Sequence, residues 1–257
     1  MIDTHCHLFD SAYNPDRAEV VARAQAAGVT HFLMPNVDRS TYPAMMRTAE
    51  KFFSECRPMV GVHPTSITAA SVEEELNFVR RELEAQPAGT FAAVGEVGID
   101  CYRSREFLGE QIYAFEAQLR LAEKYQLPVV IHARDSFPEI LEVLRKMRPT
   151  IKGVFHAYSS SFEVYREIKK LGDYKLGIGG VVTFKNSALP EVVRQVPLCD
   201  VLLETDAPYL APTPHRGTRN ESSYLTLIAQ KIADLKNVTF EEVDEATTEN
   251  AKKMFEV

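Results

Sequence analysis

Short apolar runs alternate with longer amphipathic segments along the whole chain. The runs at residues 2–8, 30–34, 58–62, 91–97, 128–132, 153–156, 175–178 and 201–204 predict eight strands. The segments between them carry the period of a helix. Residues 15–27 put Val20, Val21 and Ala24 on one face and stop at Gly28, a residue suited to the position just past a helix end. Residues 106–125 set Phe115, Leu119 and Ala122 at i, i+4 and i+7, and Asp135 and Ser136 are candidate caps for a helix carrying Ile140, Leu141 and Leu144. Two further helices, near 224–235 and 240–255, close the chain. Strand–helix alternation predicts parallel strands joined by right-handed crossovers. Eight such units in 257 residues fit one TIM-type (β/α)8 barrel domain spanning 1–257. The pattern alone leaves a doubly wound open sheet as an alternative, because it cannot show closure.

Composition changes this picture little. The net charge of -7 argues against a generally basic nucleic-acid-binding surface, while leaving room for a local basic patch. Cys6, Cys56, Cys101 and Cys199 form neither a CxxC pair nor a zinc-finger spacing, so a reducing compartment is expected. The chain enters its first strand without a charged leader and an apolar stretch, and no run approaches the roughly 18 residues of a membrane span. The expectation is a cytoplasmic protein that does not engage a membrane.

The chemistry lies at the ends of the apolar runs, where the active sites of (β/α)8 barrels are built. His5 and His7 occur in IDTHCHL, Glu96 in AAVGEVGID, His132 in LPVVIHARD, His156 in GVFHAYSS and Asp206 in VLLETDAP. His5 and His7 stand at i and i+2, which on a strand puts both imidazoles on one face and Cys6 on the other. Four imidazoles and two carboxylates exceed the ligand set of one tetrahedral ion, so the expected cofactor is two divalent cations. Glu96, between Gly95 and Gly98, offers two oxygens to bridge them, and no lysine stands at this strand end to do so instead. Glu204 lies two residues before Asp206 and is expected to orient a ligand. His63, in VGVHPTS, is a candidate for proton transfer or phosphate contact, whereas His31 starts a strand and belongs to the opposite end of the barrel.

These segments together resemble the TatD family of metal-dependent hydrolases, within the amidohydrolase-like group. The likeness runs through IDTHCHL (2–8), VGVHP (60–64), VGEVGID (94–100), PVVIHARD (128–135), IGGVVTFKN (178–186), ETDAPYLAP (204–212), PHRGTRNE (214–221) and TTENAKKMF (247–255). It implies a TIM-type barrel with metals held by His5, His7, Glu96, His132, His156 and Asp206. It also implies hydrolysis of DNA phosphodiesters, often from the 3′ end, with single-stranded or 3′-terminal DNA as the partner. The chain departs from the family's HCFSG at His156-Ala157-Tyr158-Ser159-Ser160, and from its Gly-Leu-Asp at Gly98-Ile99-Asp100.

Asp206 is the candidate general base or water-orienting group, with Glu96 and His63 completing the catalytic set. No G-x-S-x-G elbow, P-loop or Rossmann glycine pattern competes. The expected ions are Mg²⁺, Zn²⁺ or Mn²⁺. The nitrogen-rich ligand set suits Zn²⁺ or Mn²⁺, while the resemblance implies Mg²⁺. Arg134, His215 and Arg216 are candidates to hold the substrate phosphate; Lys185 and Arg219 read as surface charges or loop ties. Tyr102, Tyr158 and Tyr209 could stack on bases or pack against the rim. The same centre could instead hydrolyse an ester or amide, as in an aminoacyl-tRNA deacylase, or could bind metal or nucleic acid without catalysis.

Overall fold

The computed structural model describes residues 1–257. Eight parallel strands are present: β1 (Ile2–Asp3), β2 (His31–Met34), β3 (Cys56–Pro58), β4 (Val94–Asp100), β5 (Val129–Arg134), β6 (Gly153–Phe155), β7 (Tyr174–Ile178) and β8 (Val201–Leu203). They form two sheets, β1-β2-β3 and β4-β5-β6-β7-β8. Two parallel bridges, Val60 with Val94 and Cys6 with Ala207, join the sheets on either side. Backbone bonds complete both seams: Val60 N–H donates to Ala93 O and Gly95 N–H to Val60 O on one side, Thr4 N–H to Leu203 O and His7 N–H to Ala207 O on the other. The barrel is therefore closed, and the open-sheet alternative is excluded. It is a (β/α)8 barrel with its clusters of metal-binding side chains near the strand ends.

Several strands are shorter or shifted relative to the hydrophobic pattern. The ladder of β1 stops at Asp3 instead of reaching Leu8, because residues 4–7 divide their hydrogen bonds between two neighbours. Cys6 N–H turns to Leu33 O of β2, while Thr4 and His7 turn to the β8 side. β3 ends at Pro58, and only Val60 of the expected 58–62 run carries a further bridge. β4 begins later and runs on to Asp100.

Nine α-helices, α1 (Arg17–Ala26), α2 (Tyr42–Lys51), α3 (Val72–Ala85), α4 (Leu108–Tyr125), α5 (Phe137–Met147), α6 (Phe162–Lys169), α7 (Leu189–Gln195), α8 (Leu225–Lys236) and α9 (Phe240–Phe255), pack around the strands. α1 ends where expected, with Gly28 at φ 89 in the left-handed region. The hydroxyl of Ser136 precedes α5 but does not cap it; it donates to Ile99 O at 2.5 Å and ties this loop to β4. α9 starts in a capping box made by Thr239 and Glu242, and its last turns bring Ala251, Met254 and Phe255 against Ile2, Leu33, Val130 and Leu202. That apolar plug fills the N-terminal half of the barrel. Each fully buried Ile, Leu, Val, Met or Phe side chain of the plug contributes roughly 1.5–3 kcal/mol.

The plug also sets the direction of the polar groups. Side chains two positions apart on a strand share a face. Above Val130, Val154 and Leu202 of the plug stand His132, His156 and Glu204. The period of two thus lifts the barrel interior from an apolar floor to a polar mouth.

Candidate metal centre

Glu96 lies at the middle of this mouth. The register between β4 and β5 slips at this point, with Gly95 opposite Val130 and Val97 opposite Ile131, so Glu96 is a bulged residue without a partner. A bulge re-aims a side chain, and Glu96 is 3 % exposed. Its two oxygens face different groups. Oε2 lies 3.2 Å from His5 Nε2. Oε1 lies 2.8 Å from His132 Nδ1, 3.6 Å from His63 Nε2 and 3.8 Å from His156 Nε2.

Asp206 faces the same space from the β8 side. Its Oδ1 is 3.4 Å from His7 Nε2 and 3.8 Å from both His5 Nε2 and His156 Nε2. Asp206 and Ala157 both hold φ in the left-handed region, at 57 and 44. Such conformations cost about 1–3 kcal/mol each and persist only where the surroundings impose them. For Asp206 the surroundings include the Asp206 N–H bond to His5 O and the clasp of Asn220, whose side-chain amide donates to Thr205 O at 2.8 Å and to Tyr209 O at 2.6 Å.

Potential ligand atoms fall into three overlapping groups, each within 4.8 Å: His5, His7 and Asp206; His5, Glu96 and His156; His63, Glu96 and His132. Neither ring nitrogen of buried His5 makes an aligned hydrogen bond, although burying unpaired polar atoms is costly. Imidazole nitrogens and carboxylate oxygens that converge without satisfying one another are suited to cations. These clusters can coordinate two divalent ions, as in two-metal hydrolases.

Charge follows from this packing. Burial works against ionised Glu96, but His5, His63 and His156, together with the contact from His132, hold it well below the usual carboxylate range. Asp206 is also lowered: burial opposes its charge, and His7, His156 and His5 outweigh burial. Burial pushes His63 down to about 4 and, with His156 beside it, lowers His5. His156 goes the other way. Burial favours its neutral ring, yet Glu204, Glu96 and Asp206 lift it to about 10.

Two supporting carboxylates stand behind the imidazoles. Glu204 Oε1 lies 3.0 Å from His156 Nδ1, an ion-pair contact off the line of a good hydrogen bond, and accepts the Ala157 N–H at 2.6 Å. Gly177 makes room for it: a Cβ at Gly177 would stand 2.0 Å from Glu204 Oε2. Asp100 was not singled out by the sequence reading. Its Oδ2 lies 2.9 Å from His132 Nε2, and its Oδ1 accepts the Tyr102 N–H at 2.9 Å. The signal was present, since Asp100 ends the same apolar run as Glu96 four residues later. Glu204→Gln should lower metal affinity or turnover by about 10- to 100-fold, the usual effect of losing a carboxylate that orients a ligand. A metal titration of the variant beside the wild type measures it.

A cavity of about 820 Å³ opens from these groups and is lined by His63, Asp100, His132, His156 and Asp206, with Arg134 and Tyr102 on its wall. His215 and Arg216 are not among its lining residues. His215 stacks on Tyr224 with centroids 4.1 Å apart, and the Arg216 guanidinium lies 4.1 Å over Phe184. Arg219 pairs with Asp16 at 2.7 Å, the loop tie expected of it. Tyr158 is 1 % exposed, its hydroxyl donating to Ser161 O, so it packs inside the fold. His31 begins β2, away from the mouth.

Fold and site together define a metal-dependent hydrolase built on a (β/α)8 barrel. The family model described as TatD related DNase matches residues 2–256. The chain belongs to the TatD family. It is 38% identical to the uncharacterized metal-dependent hydrolase YabD of Bacillus subtilis, over 100% of this chain and 99% of that protein. It is 32% identical to the uncharacterized metal-dependent hydrolase YcfH of Escherichia coli, over 100% of this chain and 96% of that one. The crystal structure of YjjV, a TatD homologue from Escherichia coli, superposes with a TM-score of 0.90 at 28% identity, covering 100% of this chain and 98% of that one. No helix is long and apolar enough to cross a membrane.

Proposed function

We propose that residues 1–257 act as one domain, a divalent-metal-dependent deoxyribonuclease that cleaves phosphodiester bonds at single-stranded, 3′-terminal ends of DNA in the cytoplasm. The observation that carries this reading is Glu96, whose two oxygens face separate sets of imidazoles beside an open cavity. His5, His7, Glu96, His132, His156 and Asp206 would hold the two ions, Glu96 offering an oxygen to each set of imidazoles. The donor set, rich in nitrogen, favours Zn²⁺ or Mn²⁺ over Mg²⁺. Such a pair of ions supplies an activated water and neutralises charge on the phosphoryl group and leaving oxygen.

The chain's own residues do the rest. Asp206, held ionised, orients the attacking water and accepts its proton. His63 is neutral near pH 7, and its Nδ1 lies 2.7 Å from Thr65 Oγ1, which fixes the ring at the cavity wall. With Nδ1 accepting the Thr65 N–H, the ring proton lies on Nε2, from which a neutral His63 can donate a hydrogen bond to the developing charge on the leaving oxygen. Glu204 keeps His156 turned to the centre. Arg134 supplies a cation to the substrate. Membership of a family described as TatD related DNase supports DNA as the substrate.

The test is hydrolysis of single-stranded DNA and of an aminoacyl-tRNA by one preparation, before and after chelation and with each ion restored. Metal-restored cleavage of DNA with an intact acyl ester is the expected result. Hydrolysis of the acyl ester alone would replace this reading with that of a deacylase.

A further inference from the structure

We propose that Tyr102 and Arg134 form a nucleotide subsite beside the metal ligands, in which Arg134 takes the phosphate next to the one cleaved and the stacked pair carries the adjoining base. This rests on the phosphodiester reading above and specifies where the rest of the strand lies.

The two residues leave neighbouring strands at the same height. Arg134 ends β5 and is the register partner of Asp100, which ends β4; Tyr102 follows two residues later. The Arg134 guanidinium lies 3.7 Å over the Tyr102 ring. Both side chains line the cavity that holds the ligands, and Tyr102 is still 56% exposed. Other arginines near the surface are tied to acids, as Arg219 is to Asp16, Arg23 to Glu221 and Arg105 to Glu139, and Arg216, which also lies over a ring, does not line the cavity. Arg134 has no carboxylate partner and donates no side-chain hydrogen bond. An aromatic face fixes its plane and leaves its donors free.

That arrangement suits a nucleotide for a geometric reason. The guanidinium donors lie in its plane, where a phosphate binds bidentately. Its open face looks along the normal to that plane, away from Tyr102, and can extend the stack to a base. One arginine can therefore hold phosphate and base together. Arg134 is two positions beyond His132, about 6–7 Å along the strand, a step comparable to that between successive phosphates of an extended single strand. Asp100 couples the platform to the centre, since it holds the Tyr102 backbone with one oxygen and His132 with the other. The cavity of about 820 Å³ is of a size that takes one compact ligand, which matches the last nucleotides of a single strand.

The experiment compares an oligothymidylate with bis(p-nitrophenyl) phosphate, a diester without base or second phosphate, on wild type, Tyr102→Ala, Tyr102→Phe and Arg134→Lys. The preference for oligothymidylate, taken as the ratio of the two kcat/KM values, should fall about tenfold or more in Tyr102→Ala and Arg134→Lys and return in Tyr102→Phe, which keeps the ring. Most of the change should appear in KM. Equal losses on both substrates, or an unchanged ratio, would overturn the subsite. A second arm measures binding of fluorescent oligothymidylate to Glu96→Gln protein, with and without Tyr102→Ala. If wild type cleaves neither diester, the phosphodiester reading fails, and this arm still decides the subsite: about tenfold weaker binding supports it, and unaltered or undetectable binding rejects it.

Discussion

Glu96→Gln should lower metal-dependent hydrolysis by about a thousandfold or more, while the barrel remains folded. The substitution keeps volume and removes the one charge that reaches both sets of imidazoles, at 3.2 Å from His5 and 2.8 Å from His132. One oxygen becomes an NH₂ group, which cannot ligate and points a donor into the cluster. Loss of charge weakens both ions together, so metal content should fall from two per chain, and excess metal should restore little activity. Elemental analysis and steady-state rates measure the two effects, and circular dichroism checks the fold. Wild-type turnover by this variant would reject a bridging role. A rate lost only with the fold would assign Glu96 to structure instead.

The centre was legible in the sequence to an unequal degree. Ligands on regular strands followed the period of two: His132 stands above Val130 and His156 above Val154, each on the inward face. The setting of Glu96 did not follow. Its aim comes from a bulge, which shifts the pairing by one residue and leaves no trace in hydropathy. The same slip carries β4 on to Asp100, and that contact with His132 depends on two neighbouring strands ending at one height. The loop residues were the least legible. PHRGTRNE reads as a phosphate loop through His215 and Arg216, yet these two side chains lie against Tyr224 and Phe184 and do not line the cavity, while Arg219 makes the loop tie expected of it and Asn220 clasps the turn around Asp206. A cation in a loop reads alike in sequence whether it meets a ligand or a carboxylate from a distant helix. Arg134 is separable from Arg216 only by its place on the cavity wall, since both lie over an aromatic ring without an acidic partner.

Stripping the ions should leave a protein whose stability is bounded by its own imidazoles on both sides of neutral pH. The His156 pKa in the folded chain is about 10, above the ordinary 6.5, so its contribution is full below pH 6.5 and is lost as pH rises through about 10. His63 is opposite in sign. At about 4 its folded value lies below 6.5, so its contribution is present above pH 6.5 and is lost as pH falls through about 4; lowered His5 acts in the same direction. Thermal unfolding of chelated protein from pH 3 to pH 10 should therefore show a maximum between these limits. Ions change the balance at one residue in particular. A ligating imidazole must be neutral, so binding has to release the proton that Glu204, Glu96 and Asp206 keep on His156. Apparent metal affinity should rise about tenfold per pH unit between pH 6 and 8. Calorimetric Mn²⁺ titrations in buffers of different ionisation enthalpy should register at least about one proton released on filling the site. Glu204→Gln removes one of the charges that hold this proton, so it should flatten the pH dependence even as it weakens binding. Affinity independent of pH in wild type would mean that His156 is neutral before the ion arrives, and the account of the His156–Glu204 pair would fall with it.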